Sequence, residues 1–434
     1  MRGRVLSVAA GVALSAVGLA FAAYGGGVAH LPAEELRSAY PGYDEIASWD
    51  FMAGEYDALR VAGKNPQLIF GSSELKSKPA GPAHPGRLFA DGRYGAASVV
   101  AGRAGVNDLW QAIELGAFAP RMPHDRKRAV VFVSMQWFMC YRDPQTSFPG
   151  VFSQGAYDAF MENDAISSDV KHRVAERVRA YGVPDAEASS AGPLAWAVDS
   201  VDRAAAAFAS DMRLATAVRA RCAGRSGAAV EGTARAVEEK GSEAFGGTAT
   251  RDGGALGRGA NVSDVSRQPS STARAAQCPA PDWETLIAEG RERSERASRG
   301  NDYGFYDSWY RAKYQDWLSG AQKNWRVEDG AFWSAQEFED FELMLEVCRQ
   351  AGIEPLVVIQ PAKGAAYDQT IYTREVRARY YDMVRSACAQ ADVRVADFSD
   401  REYDPLFLRD YSHPSAYGSA CYSQVMWEFW TAAT

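Results

Sequence analysis

Apolar residues along the chain fall into two kinds of run. The short, continuous kind comprises Leu68-Ile69-Phe70 within "PQLIFGSSELKSK" (66–78), "AASVVAG" (96–102), "AVVFVSMQWF" (129–138), "EPLVVIQ" (354–360) and "VRVADF" (393–398). Runs of this length without alternation predict strands buried on both faces. The second kind repeats at helical spacing, in "DLWQAIELGAF" (108–118), "EFEDFELMLEVCRQAG" (337–352) and "REVRARYYDMVRSACAQA" (374–391). Phe338, Phe341, Leu345 and Cys348 share one face of a pattern that stops at Gly352, a residue suited to end a helix in the left-handed region. Further helical stretches are "SWDFMAGEYDALRVAGK" (48–64), 153–182, 307–324 and a final "YGSACYSQVMWEFW". Strand and helix in alternation predict an α/β protein, with about five parallel strands covered by helices on both faces.

The organisation that follows has five parts. Residues 1–24 form a short stub and an apolar segment, 25–64 a membrane-proximal lead-in, and 65–152 the first part of the α/β domain. Residues 153–324 are a helical region inserted between the third and fourth strands, and 325–434 complete the α/β domain. Within the insertion, 223–277 is dominated by Ala, Gly, Ser, Arg and Thr; too few large apolar residues are present to offset chain entropy, so a flexible segment is expected there. No internal repeat is found. At the N-terminus, "VLSVAAGVALSAVGLAFAAY" (5–24) carries no charge and has the length of a bilayer-crossing helix, with Arg2 and Arg4 before it. The positive-inside rule then puts the rest of the chain outside the cytoplasm. A cleavable signal peptide is the rival reading, since "AFA" at 20–22 resembles a cleavage site, but the run exceeds a usual signal core.

Composition narrows the function classes. Among 434 residues, 47% are hydrophobic and the net charge is -8, with no basic block of the kind a nucleic-acid footprint needs. Six cysteines, Cys140, Cys222, Cys278, Cys348, Cys388 and Cys421, are scattered without metal-ligand spacing, and nothing implies a metal, nucleotide or flavin cofactor. Cys222 and Cys278 flank the low-complexity stretch and could pair in an oxidising compartment; the other four read as buried free thiols.

The candidate chemistry begins at Gly71-Ser72-Ser73-Glu74-Leu75, a strand running into a turn. Serine catalysis needs a hydroxyl at such a turn, a base within reach, and a group that orients the base. The glycine permits tight backbone, and free N–H groups at the next helix start can stabilise an oxyanion. Gly-Ser-Ser is also common in ordinary turns. Of five histidines, His413 in "LRDYSHPSAYG" has Asp410 three residues before it, spacing that lets a carboxylate meet Nδ1 and leaves Nε2 free. The bland reading of that pair is a helix-capping Asp beside a surface His. His84, in the Pro/Gly-rich "GPAHPGRLF", is the other candidate base, or a residue shaping the rim of the site. His30, His124 and His172 read as bland.

These motifs in order resemble the SGNH-type serine hydrolases and, more closely, the DltD family of D-alanyl transfer proteins. The resemblance is carried by the N-terminal anchor, "FGSSEL", "GRAGVNDLWQAIEL", "VVFVSMQWF", "PLVVIQPAKGAAYD" and "RDYSH". It implies an SGNH-hydrolase-like, flavodoxin-like three-layer fold and a membrane-anchored, outward-facing enzyme that helps esterify lipoteichoic acid with D-alanine. Its implied nucleophile is Ser73, with Asp410 and His413 completing the triad. By position the oxyanion contributors would be the Ser73 amide, Gly105 and Gln136, where related hydrolases carry Gly and Asn. Gln136 has a core hydrogen bond at the strand end as its alternative role. Arg103 stands where a small residue would be expected, and either binds an acceptor phosphate or is an exposed loop cation. The implied partners are the lipoteichoic acid acceptor, a membrane-bound acyltransferase and D-alanyl carrier pathway proteins. Two other readings stay open: an esterase or thioesterase that uses water as acceptor, and a scaffold whose triad is vestigial.

Overall fold

The computed structural model describes residues 49–75, 81–102, 104–140, 144–183, 278–314, 325–327 and 330–432. Five strands form a single sheet: β1 (Pro66–Gly71), β2 (Ala97–Gly102), β3 (Arg128–Val133), β4 (Glu354–Ile359) and β5 (Arg394–Asp397). Their order is β2-β1-β3-β4-β5 and every pairing is parallel. This is the flavodoxin-like order, in which β1 lies inside the sheet and the chain winds outward from it to either edge.

The register shows why the strand runs lack alternation. Ala101, Phe70, Val131 and Val357 stand in one row across the sheet and face one core; Val100, Ile69, Val130 and Leu356 form the next row and face the other. Both faces are therefore dry, and both demand apolar side chains. Over the first face pack α1 (Trp49–Val61), α2 (Asp108–Phe118), α3 (Gln154–Glu162), α4 (Ser168–Ala180), α6 (Ala335–Ala351) and α7 (Arg374–Gln390). Every residue of α2 is buried, because the helix is enclosed by the sheet, α3 and α6. Over the second face pack α5 (Trp283–Ala297) and the C-terminal α8 (Ala416–Thr431). The described helices between β3 and β4 are thus shared between the two faces, and α5 and α8 pack together.

Helix ends follow local chemistry. Asn107 caps α2 by accepting from the Trp110 N–H, Ser334 caps α6, and Gly352 ends α6 at φ +70° as its position predicts. Some expectations need correction. The run 129–138 is strand only to Val133; Ser134 turns the chain and Met135–Phe138 is a short helix, which an unbroken apolar run cannot distinguish from more strand. Residues 153–182 form two helices, broken at Asn163, whose side chain donates to the Gly116 carbonyl and accepts from the Ala165 N–H. Cys348 and Cys388 are buried, but Cys140 is exposed and Cys421 half-buried. The expected anchor at 5–24, Cys222, Arg103, His30, the low-complexity segment and 315–324 lie outside the described residues. Among the described residues no helix is long and apolar enough to cross a membrane.

Candidate active site

The β1 strand delivers Ser73 to the carboxyl edge of the sheet, where a single tight turn, Ser73–Leu75, begins. Space for that turn is made by two glycines paired across β1 and β2, Gly71 and Gly102. A Cβ on Gly71 would lie 2.6 Å from Glu74 Oε1, and one on Gly102 would lie 2.5 Å from Leu75 Cβ and 2.8 Å from the Ser72 carbonyl. Glu74 accepts the Ser72 N–H through its carboxylate, and the Leu75 N–H closes on the Ser72 carbonyl at 3.2 Å. Ser72 is thereby buried and Ser73 left half-exposed.

His84 supports this turn from within and is neither a base nor part of a rim. Its ring is 1% exposed; Nε2 donates to the Leu75 carbonyl at 3.0 Å, while Nδ1 accepts the Gly86 N–H at 3.1 Å. Both nitrogens are committed, which fixes the neutral tautomer. Burial, with the Arg87 charge nearby, lowers its pKa to about 3. His124 and His172 are exposed, as expected of surface residues.

The other half of the site comes from the loop between β5 and α8. Here Asp410 Oδ1 accepts from the N–H groups of Ser412 (3.0 Å) and His413 (2.8 Å), and both carboxylate oxygens lie 2.9 Å from His413 Nδ1. With Nδ1–H donating to Asp410, Nε2 presents its lone pair to Ser73 Oγ at 2.8 Å. Burial of Asp410 works against its charge. Attraction to His413, the guanidinium of Arg409 at 3.7 Å and the Ser412 N–H outweigh that cost, and the carboxyl titrates below its ordinary range. The loop closes on itself through Arg409 N–H to the His413 carbonyl (2.9 Å) and Ser415 N–H to the Phe407 carbonyl (3.0 Å). A segment from before α6 braces it: the Tyr306 N–H donates to the Arg409 carbonyl at 2.8 Å, and Trp309 packs on Tyr411, which meets the His413 ring edge-on at 5.9 Å.

Ser73, Asp410 and His413 are therefore brought together from opposite ends of the chain. Gly105 lies in the turn after β2 with φ +99°, and Gln136 in the first turn after β3, so both stand at strand ends flanking β1. Gln136 Nε2 donates to the buried Tyr367 hydroxyl at 2.8 Å. Arg409, Tyr411 and Trp309 were not singled out by the sequence; the two loop residues carry no periodicity, Trp309 lies in a short helix Asp307–Trp309 whose partner is distant in sequence, and the adjacency of Arg409 to Asp410 is the one signal available. In chemical terms, the arrangement can move a proton from a serine hydroxyl to imidazole and hold the resulting imidazolium against a carboxylate.

A family model described as DltD protein matches residues 46–431. Protein DltD of Bacillus subtilis (strain 168) is 25% identical over 355 residues, which cover 80% of this chain and 77% of the relative. Protein DltD of Staphylococcus aureus (strain NCTC 8325 / PS 47) is 19% identical over 348 residues, covering 80% and 76%.

Proposed function

The chain belongs to the DltD family, and from that membership and the geometry at Ser73 we propose that it is a membrane-anchored, extracytoplasmic acyltransferase that takes part in D-alanylation of lipoteichoic acid. The observation that carries the mechanism is the 2.8 Å approach of His413 Nε2 to Ser73 Oγ, with Asp410 on the other ring nitrogen. His413 takes the hydroxyl proton as Ser73 Oγ adds to the carbonyl carbon of a D-alanyl ester or thioester. When the tetrahedral adduct collapses, the same proton passes to the departing oxygen or sulfur and an acyl-serine remains. A glycerol hydroxyl of the polymer then gives its proton to His413 and attacks the acyl-serine, and Ser73 leaves with that proton.

The adduct's oxyanion would be met by the Ser73 amide, Gly105 and Gln136. Gln136 has one N–H committed to Tyr367, and a carboxamide keeps a second for this purpose. An SGNH-type assignment is supported by the nucleophile's place at the end of an inner strand and by a base just before the last helix. The anchor at 5–24 would keep the site beside donor and acceptor at the membrane surface, where a membrane-bound acyltransferase and carrier proteins supply D-alanine.

The test is intact-mass analysis after treatment with a fluorophosphonate. A single adduct is expected, lost in Ser73→Ala, and cells carrying that variant should lose D-alanyl esters; retained D-alanylation would sink the proposal. Adding a polyglycerol-phosphate acceptor separates transfer from hydrolysis, since the acyl group ends on the polymer in the first case and free in the second.

A further inference from the structure

Lys363, in "QPAKGAAYD" just beyond β4, is a cation with 1% of its surface exposed. Its Nζ donates to the carbonyls of Pro405 at 2.7 Å, Leu408 at 2.9 Å and Gly304 at 3.3 Å. An ammonium has three N–H bonds, so all of them are directed to backbone. Two of these carbonyls belong to the loop that carries Asp410 and His413, and the third to the segment that braces it. The residue's own backbone N–H donates to the Tyr411 carbonyl at 3.1 Å, so Lys363 grips the loop at both its ends. Gly304 reaches this cage because it lacks a side chain: at φ +70°, a Cβ there would lie 2.0 Å from the Pro405 carbonyl oxygen.

We propose that Lys363 is a positioning residue of the triad, its ammonium gathering three carbonyls and so fixing the loop geometry in which Asp410 and His413 meet Ser73. The inference rests on the triad reading above. A neutral amine has two N–H bonds and turns a lone pair toward the third carbonyl, so the cage depends on charge. Burial lowers the lysine pKa to about 8, against the opposing attraction of Asp404 and Asp410; the facing loop also carries Glu402, Tyr403, Arg409, Tyr411 and His413, and Phe305 closes the remaining side with its ring 5.4 Å away.

Stability and function then move in opposite directions with pH. A lysine that gives up its proton more easily folded than unfolded penalises the fold at low pH, and that penalty fades as pH rises through about 8. The triad geometry is lost over the same interval. A merely structural lysine has no such signature.

The experiment measures phosphonylation of Ser73 in the full chain by a small fluorophosphonate, resolved into kinact and KI, with Tm followed at each pH. For wild type, kinact should decline above about pH 8 with no loss of Tm attributable to this lysine. In Lys363→Met, kinact should fall about tenfold at neutral pH with KI within about twofold, and the alkaline decline should vanish. In Gly304→Ala, the opened cage lets water reach the ammonium, and the decline should move to higher pH. A wild type without an alkaline decline overturns the proposal whether or not the variants fold. So does Lys363→Met reacting within about twofold of wild type, or keeping the decline, and so does an unmoved decline in Gly304→Ala. Absence of any wild-type adduct refutes the triad reading itself, a result distinct from all of these.

Discussion

Ser73 stands where β1 leaves a sheet that is apolar on both faces, while Asp410 and His413 stand in a loop held by an ammonium, a guanidinium and a ladder of backbone N–H groups. The serine is placed by shape: two glycines vacate the volume its turn occupies, and rows of buried Val, Ile and Phe fix the strand beneath. The histidine is placed by charge and hydrogen bonding; its loop is anchored in the second core by Phe407 and Leu408, and beside the ring itself Trp309 and Tyr411 pack. The difference teaches that the two halves should fail in different ways. A steric insult reaches the serine, and an electrostatic one reaches the base.

The largest expected effect falls on the polar half. Asp410→Asn keeps the shape but presents an N–H where Nδ1 needs an acceptor, so labelling of Ser73 should drop by about a thousandfold or more while Tm changes little. If reactivity survives that change, the base does not depend on the carboxylate and the contrast between the halves collapses. Next comes the apolar half. Gly102→Ala forces a methyl against Leu75 Cβ and the Ser72 carbonyl, and we expect a stability loss of about 1–3 kcal/mol in denaturant titration. The same displacement of the turn should slow labelling about a hundredfold. A variant that is destabilised yet labels normally would show that Ser73 does not take its position from the sheet. The smallest effect belongs to Ser415, whose Oγ accepts the Tyr417 and Gly418 N–H groups and donates to the Leu406 carbonyl. Ser415→Ala should cost about 1–2 kcal/mol as a lost helix cap, with only a severalfold loss of labelling, because His413 keeps its direct bond to Asp410.

The apolar half was also the more legible one. Four of the five strands lie within a residue or two of the apolar runs that predict them, since a strand dry on both faces must be written in continuous Val, Ile, Leu and Phe. The other, β3, begins on its run but stops at Val133, because such a run does not mark where strand gives way to helix. Gly352 and the Asp-x-x-His spacing were readable for the same reason: each is a local rule. What could not be read depends on distant partners. His84 looks like a second base in "GPAHPG" until its two nitrogens are seen to be spent on Leu75 and Gly86. Lys363 sits in a plain loop sequence, and its three acceptors come from positions 304, 405 and 408. The helix Trp283–Ala297 follows a stretch of low complexity, and its polar composition gives no apolar stripe strong enough to announce it.

The hydrogen bond between Ser73 and His413 joins residues 340 positions apart. A chain emerging from its N-terminal end presents Ser73 early and His413 almost last, after the inserted region and both remaining strands have been made. Contacts of such long sequence separation form late, once the intervening chain has paid its closure entropy. On the proposed mechanism the serine is therefore an ordinary alcohol throughout synthesis, and would become a reagent only when α8 docks and draws the loop ahead of it over the sheet. On that reading a truncated or half-folded molecule would have no means of attacking an ester, and completion of the fold would be the protein's own safeguard against premature chemistry.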